Sequence, residues 1–292
     1  MRRACIDIGS NTTRLLVADR VDDTLVEVHQ ERAFTQIARS LDMEGSIPEA
    51  KLQEVVRSVA GQLASARQLG VTEIRCVATA GVRRAANAES LIGMIERACD
   101  GLSVQVLTGE QEGRLAFIGA AWGYRYYGQP GFDGALGVVD IGGGSSELVV
   151  GTPPDQVAWC RSLPIGSSDL ARAEMRSDPP SAADCARASA RVREAFAGLE
   201  PPPVGRAVAV GGSAASLTSI VGPLLDQGAL ALSLELLQRL PAAEIAARHG
   251  LDVQRVRLLP SGILMLMEVT SLFGSPLTVG GAGMREGLLL DW

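Results

Sequence analysis

The sequence contains few of the residues that several common catalytic and metal sites require. Its 292 residues include two histidines, His29 and His249, which leaves little material for a Ser-His-Asp triad or a histidine metal site. Lys51 is the only lysine, and no GxxxxGK[ST] segment is present, which excludes a P-loop. Any phosphate site must therefore use arginine, backbone amides and metal.

Cysteine and long apolar runs are equally sparse. The five cysteines are odd in number, widely spaced and without a CxxC, which argues against a disulfide framework or a zinc knuckle. No run of about 18 apolar residues occurs, and the N-terminus leads straight into a short strand-like run, so we expect a cytoplasmic protein without a membrane partner. A net charge of −6 argues against a nucleic-acid partner, and 47% apolar content suits a globular core.

Two segments of the chain resemble each other at a spacing of 133 residues: "DIGSNTTRLLVA" (7–18) and "DIGGGSSELVVG" (140–151). Each predicts a strand, a glycine turn and a second strand. Glycine lets a backbone approach a ligand closely, and a nest of free amides can hold phosphate. A tight hairpin explains one copy as well, but the duplication favours a phosphate-binding turn in both.

The elements after each copy recur in the order βββαβαβα, which predicts an α/β fold with two similar halves. In the first half we expect strands at 14–20, 25–33, 73–78 and 102–107, with helices from Pro48 to Gly70, at 88–99 and from about 109. In the second half we expect strands at 145–151, 156–164, 206–210 and 276–279, with helices at 167–175, 182–198, 213–221, 233–248, 260–273 and 284–291.

The segment "YRYYGQPGFDG" (124–134) suits an interdomain hinge because it is rich in glycine and aromatics. We therefore predict domains at 1–123 and 124–292 facing each other across a cleft, with the last helix able to pack back on the first domain. Ligands favour such clefts.

Several further features suggest chemistry. Asp7 and Asp140 could together hold a hydrated Mg²⁺, although each could simply cap its own turn. Two more glycine turns, at 209–217 and 279–291, precede helices, whose amides and dipole favour an anion. In the latter turn, Arg285 and Glu286 could equally be surface charge.

The segment "VLTGEQEGRLAF" (106–117) has a capping-box pattern, Thr108 with Gln111, before an apolar helix. Glu110 and Glu112 would lie in the first turn, where acids are generally favoured, and one of them could act as a general base for water. In "VATAGVRRAAN" (77–87), Arg83 and Arg84 follow a strand. They could bind a phosphate or begin a solvated helix.

In combination these motifs resemble the exopolyphosphatase/guanosine pentaphosphate phosphatase (Ppx/GppA) family of the actin–hexokinase–Hsp70 superfold. The matching stretches run in family order from residue 6 to residue 291 and include "ATAGVRRAAN", "LTGEQEGRLAFIGA", "AVGGSAASL", "LPSGILML" and "GGAGMREGLLLD" beside the two DIG segments. The resemblance implies duplicated actin-like (ribonuclease H-like) domains.

It also implies Mg²⁺- or Mn²⁺-dependent removal of a terminal phosphate from a phosphoanhydride chain, with inorganic polyphosphate as substrate. Glu112, which precedes Gly113 and Arg114, matches the family's water-activating glutamate. Asp140 and Glu147 match its acidic catalytic positions, with Asp7 joining them as metal ligands. The implied phosphate-binding residues are Ser10, Asn11, Thr12, Arg14, Arg83, Asn87, Gly142, Gly143, Gly144, Ser145, Ser146, Gly211, Gly212 and Ser213.

The chain ends just after the "REGLLLD" helix and so resembles short, two-domain, actinobacterial-type members. The family resemblance also implies a homodimer. Short-chain polyphosphate is therefore the expected substrate, and guanosine pentaphosphate is the alternative because it ends in the same group. Two other interpretations remain. A non-catalytic binder of these molecules is one, and the presence of Glu112, Asp140 and Glu147 argues against it. A sugar or acetate kinase of the same superfold is the other, but no segment specific for an acceptor or for adenosine is evident.

Overall fold

The computed structural model describes residues 1–22, 24–127 and 134–292. These residues form two compact units. Unit 1 comprises Met1–Glu112 together with Leu288–Trp292, and unit 2 comprises Gly113–Gly287. The chain thus passes from unit 1 to unit 2 within one helix and returns within its last helix.

Unit 1 is built on a mixed β-sheet. Its strands are β1 (Arg2–Ile8), β2 (Thr13–Val21), β3 (Thr24–Ala33), β4 (Glu73–Ala78) and β5 (Val104–Val106). Their order is β3-β2-β1-β4-β5, in which β2 is antiparallel to β1 and β3, whereas β4 and β5 extend the sheet in parallel. The helices are α1 (Ile37–Ser40), α2 (Glu49–Gln68), α3 (Ala80–Arg83), α4 (Ala88–Ala98) and the start of α5 (Gly109–Tyr127).

The core of unit 1 lies between one face of this sheet and helix α2. Alternate residues of β1 point into it, because successive side chains of a strand face opposite sides. Helix α2 covers them with a stripe at helical spacing. The stripe consists of the buried Leu52, Val55, Val59 and Leu63, with Val56 partly buried beside them. The helix and the stripe predicted between Pro48 and Gly70 are confirmed.

Unit 2 repeats this arrangement. Its strands are β6 (Leu136–Ile141), β7 (Ser146–Thr152), β8 (Gln156–Leu163), β9 (Arg206–Val210), β10 (Leu224–Leu225) and β11 (Leu277–Val279). The order is β8-β7-β6-β9-β11-β10. The helices are α6 (Ser167–Glu174), α7 (Ala182–Phe196), α8 (Gly212–Val221), α9 (Gln227–Arg239), α10 (Ala242–His249), α11 (Val253–Val256), α12 (Leu259–Phe273) and α13 (Met284–Leu290).

The two sheets share one topology. In each, the first strand lies in the middle, pairs antiparallel with the second strand on one side and parallel with a later strand on the other. This is the strand order of a ribonuclease H-like domain, so the predicted duplicated α/β fold is confirmed. The additional helices and the short strand β10 all belong to unit 2.

One local prediction was wrong, and a second can be compared with the structure over only part of its length. The helix predicted at 233–248 is two helices, α9 and α10, because Pro241 has no amide hydrogen to donate and disfavours a helical conformation at Leu240, which is extended. Of the predicted hinge at 124–134, residues 124–127 continue α5, where Tyr124 packs against Arg206 at the start of β9. Residues 128–133 lie outside the described residues.

Helix α5 is held in unit 2 by close backbone contact with the last helix. A Cβ on Gly119 would overlap the carbonyl group of Gly283, and a Cβ on Gly287 would overlap the carbonyl oxygen of Leu115. Only glycine permits this approach. The crossing fixes α5, whose first turn carries Glu112.

All five cysteines lie among the described residues, and none of them forms a disulfide there. Across residues 1–22, 24–127 and 134–292, no helix has the length and apolar character needed to span a membrane.

Candidate functional site

The two glycine turns are closed by the same hydrogen bond. The N–H of Gly9 donates to the carbonyl oxygen of Thr12, and the N–H of Gly142 donates to that of Ser145, both at 3.0 Å. A Cβ on either glycine would lie 3.0 Å from the same carbonyl oxygen. Equivalent positions of the duplication thus have equivalent backbone geometry, and a side chain at either position would fit only tightly.

The first turn is fixed by helices α1 and α3. The carbonyl oxygens of Ser10 and Asn11 accept from the N–H groups of Ala38 and Gln36, at 3.0 and 2.9 Å. Ser10 is buried and lies so close to Gly81 that a Cβ there would be 2.6 Å from its Cα. Asn11 and Thr12, by contrast, are half-buried. The predicted phosphate-binding turn is therefore rigidly held in unit 1.

The second turn is fixed by helix α6. The N–H of Ser167 donates to the carbonyl of Gly142 at 2.9 Å, and that of Ser168 donates to the carbonyl of Gly143 at 3.0 Å. The hydroxyl of Ser146 is already used, because it donates to the carbonyl of Ile165 at 2.8 Å. The first amides of α6 therefore support the turn. Of the predicted turn residues, Gly142 and Gly143 are half-buried, and the rest are buried: Gly144, Ser145 and Ser146.

Asp140 and Glu147 are directly opposite each other on β6 and β7, which places both carboxylates on one face of the sheet. Glu147 is 3% exposed, and the hydroxyl of Ser162 on β8 donates to its Oε1 at 2.8 Å. In unit 1 the equivalent pair is Asp7 and Arg14. The structure therefore brings together the two predicted acids of unit 2.

The third glycine turn lies against Asp140. Gly211 has φ +88°, and a Cβ on it would be 2.6 Å from Oδ1 of Asp140. Ser213, which follows in the first turn of α8, is 1% exposed. The structure thus joins two turns that are far apart in the sequence.

Arg255 also belongs to this region, although no sequence motif indicated it. A Cβ on Gly212 would lie 2.6 Å from its Cζ, so the guanidinium covers the start of α8. Asp252 fixes the short helix α11 by accepting from the N–H of Arg255 at 3.0 Å. The contact joins positions distant in the chain, and no local pattern signals it. Ser162, by contrast, could have been found from the β7–β8 register.

The structure separates the two candidate acids of α5. The predicted capping box is present, because Thr108 N–H donates to Gln111 Oε1 at 2.9 Å and Gln111 N–H donates to Thr108 Oγ1 at 3.2 Å. Glu110 is exposed, whereas Glu112 is only 7% exposed. Glu112 is paired with Arg83. The next residue, Gly113, packs so closely on β7 and β8 that a Cβ on it would lie 2.6 Å from Sγ of Cys160 and 3.6 Å from Cβ of Glu147.

Three other candidates have defined partners. Asn87 donates to the carbonyl of Ile47 at 2.9 Å and accepts from its N–H at 2.8 Å, which holds the loop before α2. Glu286 accepts from the N–H of Gly283 at 2.7 Å and so caps α13. Arg285 and Glu286 are each 16% exposed at the side chain, so the surface-charge interpretation of this pair is wrong.

The donor set limits which metal could bind. Within the part of the chain that the structure describes, no three His, Cys, Asp or Glu side chains form a group that could hold a metal ion. Asp140 and Glu147 supply carboxylate oxygens from adjacent strands, and Mg²⁺ commonly takes one or two carboxylates, substrate phosphates and water. The residues present fit Mg²⁺ better than a metal that needs a complete protein cage.

The duplicated ribonuclease H-like fold, with an equivalent glycine turn in each half, defines the class of this protein. The chain belongs to the Ppx/GppA phosphatase family, whose model matches residues 16–292. It is 27% identical over 308 residues to a guanosine-5'-triphosphate,3'-diphosphate pyrophosphatase of Aeromonas hydrophila, covering 98% of this chain and 58% of that protein. It is 26% identical over 313 residues to exopolyphosphatase 1 of Mycobacterium leprae, covering 99% and 89%.

Solved structures of other proteins show the same fold. The crystal structure of an Aquifex aeolicus Ppx/GppA family member superposes with a TM-score of 0.84 at 28% identity, covering 100% of this chain and 97% of that one. An exopolyphosphatase of Cytophaga hutchinsonii has the same fold, with a TM-score of 0.88 at 23% identity. The chain spans between half and three fifths of the length of several curated relatives, including the Aeromonas protein.

Proposed function

We propose that this protein hydrolyses the terminal phosphoanhydride of inorganic polyphosphate, with short chains as the preferred substrate. The observation that carries the proposal is the pair of glycine turns closed by the same hydrogen bond, one of them supporting a pair of adjacent carboxylates. Membership of a phosphatase family supports it further. Phosphoryl transfer needs charge neutralisation and alignment more than covalent help, so a site without histidine or lysine is sufficient.

In this proposal Glu112 is the general base that accepts the proton of the attacking water. Its burial and its place in the first turn of α5 distinguish it from the exposed Glu110. The turn residues and Arg14 bind phosphate oxygens, to which backbone amides and arginine donate well. Asn87 does not bind phosphate in this proposal, because its amide group holds the loop before α2 through the backbone of Ile47.

Asp140 and Glu147 would hold Mg²⁺ or Mn²⁺. When bound, the ion would neutralise charge that develops on the transferred phosphate. Ser162 orients Glu147 through its hydrogen bond, so this carboxylate is held in place before the metal binds. Asp7 as a further metal ligand, the homodimer and the cytoplasmic location remain predictions from the sequence.

Guanosine pentaphosphate is the second candidate substrate because one relative is named for that activity and the reacting group is the same. A non-catalytic binder of polyphosphate or guanosine polyphosphate is the remaining alternative. Phosphate release from tri-, penta- and long-chain polyphosphate, compared with release from guanosine pentaphosphate, separates these three candidates.

The test of the catalytic assignment is Glu112→Gln, with Glu110→Gln as the matched control. Loss of a positioned base should lower the rate of phosphate release by roughly 10²-fold or more and leave the thermal unfolding midpoint close to that of the wild type. The Glu110 variant should retain its rate because this side chain is exposed. Normal turnover in the Glu112 variant would contradict the assignment.

A further inference from the structure

We propose that Arg83 positions the carboxylate of Glu112 and does not bind the terminal phosphate. This inference rests on the proposed function, in which Glu112 is the base. The position of Arg83 after a strand and the family resemblance both suggested it as a phosphate ligand. The contacts of its guanidinium indicate another role.

The same nitrogen of Arg83 bridges two consecutive parts of the chain. Nη1 donates to the carbonyl oxygen of Leu107 at 2.5 Å and also to Oε1 of Glu112. Leu107 directly follows β5, and Glu112 lies in the first turn of α5. Arg83 thus ties the helix start to the strand end that precedes it.

Burial makes this bridge important for Glu112. The residue is 7% exposed, whereas the side chain of Arg83 is 28% exposed. A buried carboxylate is costly unless it is paired and hydrogen-bonded. The planar guanidinium also fixes the direction from which it donates, so the pair restricts the carboxylate to one orientation. A general base must be oriented within hydrogen-bond reach of the proton that it accepts.

The neighbouring Arg84 provides a matched control. It is exposed, and its Nε donates to the carbonyl oxygen of Ala80 in its own helix, at 3.3 Å. Arg84→Ala removes the same charge one residue away. Comparison of the two variants therefore separates the pairing with Glu112 from a general loss of positive charge.

The first experiment is steady-state kinetics on inorganic triphosphate. Arg83→Ala should lower kcat by roughly 10-fold to 10²-fold, as expected when a base is misplaced, with KM within about twofold of the wild type. Arg83→Lys should recover only part of kcat, since one ammonium cannot reproduce the fixed guanidinium fork. Arg84→Ala should retain both constants. A tenfold rise in KM with kcat preserved would overturn the proposal and restore Arg83 as a phosphate ligand.

The second experiment combines Arg83→Ala with Glu112→Gln. If Arg83 acts through Glu112, the double variant should be no slower than Glu112→Gln alone, because residues that act as a unit are not additive. A further tenfold loss would contradict the proposal. Arg83→Gln, whose amide can still donate to Leu107, replaces Arg83→Ala if the alanine variant does not fold.

A binding measurement needs no turnover. Calorimetric titration with inorganic triphosphate should give equal affinities for Glu112→Gln and for the double variant, and a tenfold weaker affinity in the latter would overturn the proposal. If the wild-type protein neither hydrolyses nor binds triphosphate or guanosine pentaphosphate, the proposed function itself has failed. That outcome appears before any Arg83 variant is compared, so the two failures are distinguishable.

Discussion

In unit 1, the cross-strand neighbour of Asp7 is Arg14, whereas in unit 2 the cross-strand neighbour of Asp140 is Glu147. The strands, the turn and its closing hydrogen bond are otherwise equivalent, down to the 3.0 Å separation of the bonded atoms. The two units therefore share the same backbone but differ in the side chain beside the aspartate, which is a cation in unit 1 and an anion in unit 2. A cation beside Asp7 suits anionic phosphate, whereas a second acid beside Asp140 suits a divalent metal.

The largest effect should come from the position at which the units differ. On the proposed function, Glu147→Gln should lower hydrolysis roughly 10²-fold at low Mg²⁺ and raise the Mg²⁺ concentration needed for half-maximal rate, because it removes one of two carboxylates. Arg14→Gln should instead raise KM about tenfold, because the variant loses a charge-assisted hydrogen bond to the phosphate. If both variants changed the same parameter in a metal titration, the contrast between the turns would fail.

The strand beside each turn also ends differently. In unit 1, β4 is followed by Thr79 at φ −117°, whereas in unit 2, β9 is followed by Gly211 at φ +88° and ψ 175°. Gly211→Ala should lower the free energy of unfolding by about 1–3 kcal/mol, since this backbone conformation is essentially restricted to glycine and the new Cβ would meet Asp140. Urea unfolding measures the change. Thr79→Ala is the control in unit 1, and an equal loss there would show that the positive φ is not the cause.

The closing glycines test the equivalence of the turns. Gly9→Ala and Gly142→Ala should each destabilise by roughly 1 kcal/mol, because each Cβ would lie 3.0 Å from a carbonyl oxygen that must then move. We expect the two values to agree within about 0.5 kcal/mol. A clearly larger loss at one position in urea unfolding would show that the surroundings of the turns, and not the turns themselves, set their rigidity.

The smallest effect should be a difference in acid stability between helices α2 and α7. The N-cap residue of helix α2 is Pro48, which supplies no side-chain cap, whereas α7 begins with a capping box of Ser181 and Asp184. The N–H of Ser181 donates to the Asp184 carboxylate at 3.0 Å and, with the hydroxyl of Ser177 and with Arg187, holds its pKa well below the usual range. A carboxyl whose folded-state pKa is lowered stabilises the fold above its unfolded pKa, and this stabilisation is lost as pH falls below about 4.

Asp184→Asn should therefore lower the thermal unfolding midpoint at pH 7 and reduce the further drop between pH 5 and pH 3. Glu49→Gln, in the first turn of α2, is the control and should leave the pH dependence as it is. A wild-type and an Asp184→Asn protein with parallel pH profiles would show that the capping box does not contribute to acid sensitivity.

Local signals in the sequence predicted most of the fold. Strands β4 and β9 have the predicted ends, because each apolar run stops at a turn or helix start, and α2 lies between Pro48 and Gly70 as expected. The prediction of one helix across Pro241 was wrong because it relied on the helical spacing of apolar residues on both sides and disregarded the proline between them. The glycine crossing of α5 with α13 was not predictable, since neither helix alone shows which glycine meets the other.

The candidate site was predictable where it is local and not where it depends on packing. The DIG turns and the capping box of α5 lie within short segments and were found. The Arg83–Glu112 pair joins α3 to α5, and Arg255 reaches Gly212 from a later helix. Such contacts depend on how helices pack, which residue spacing in one sequence does not encode.

The last residues of the chain complete the first unit. The guanidinium groups of Arg3 and Arg75 lie over the ring of Trp292, at 4.9 and 4.4 Å from its centroid, and Arg20 donates to the carbonyl of Leu290 at 3.3 Å. On the ribosome, unit 1 therefore emerges first but lacks these contacts until residues 288–292 have been synthesised. The assembly of unit 1 therefore requires contacts between residues that are far apart in the sequence, and it follows the synthesis of the whole of unit 2.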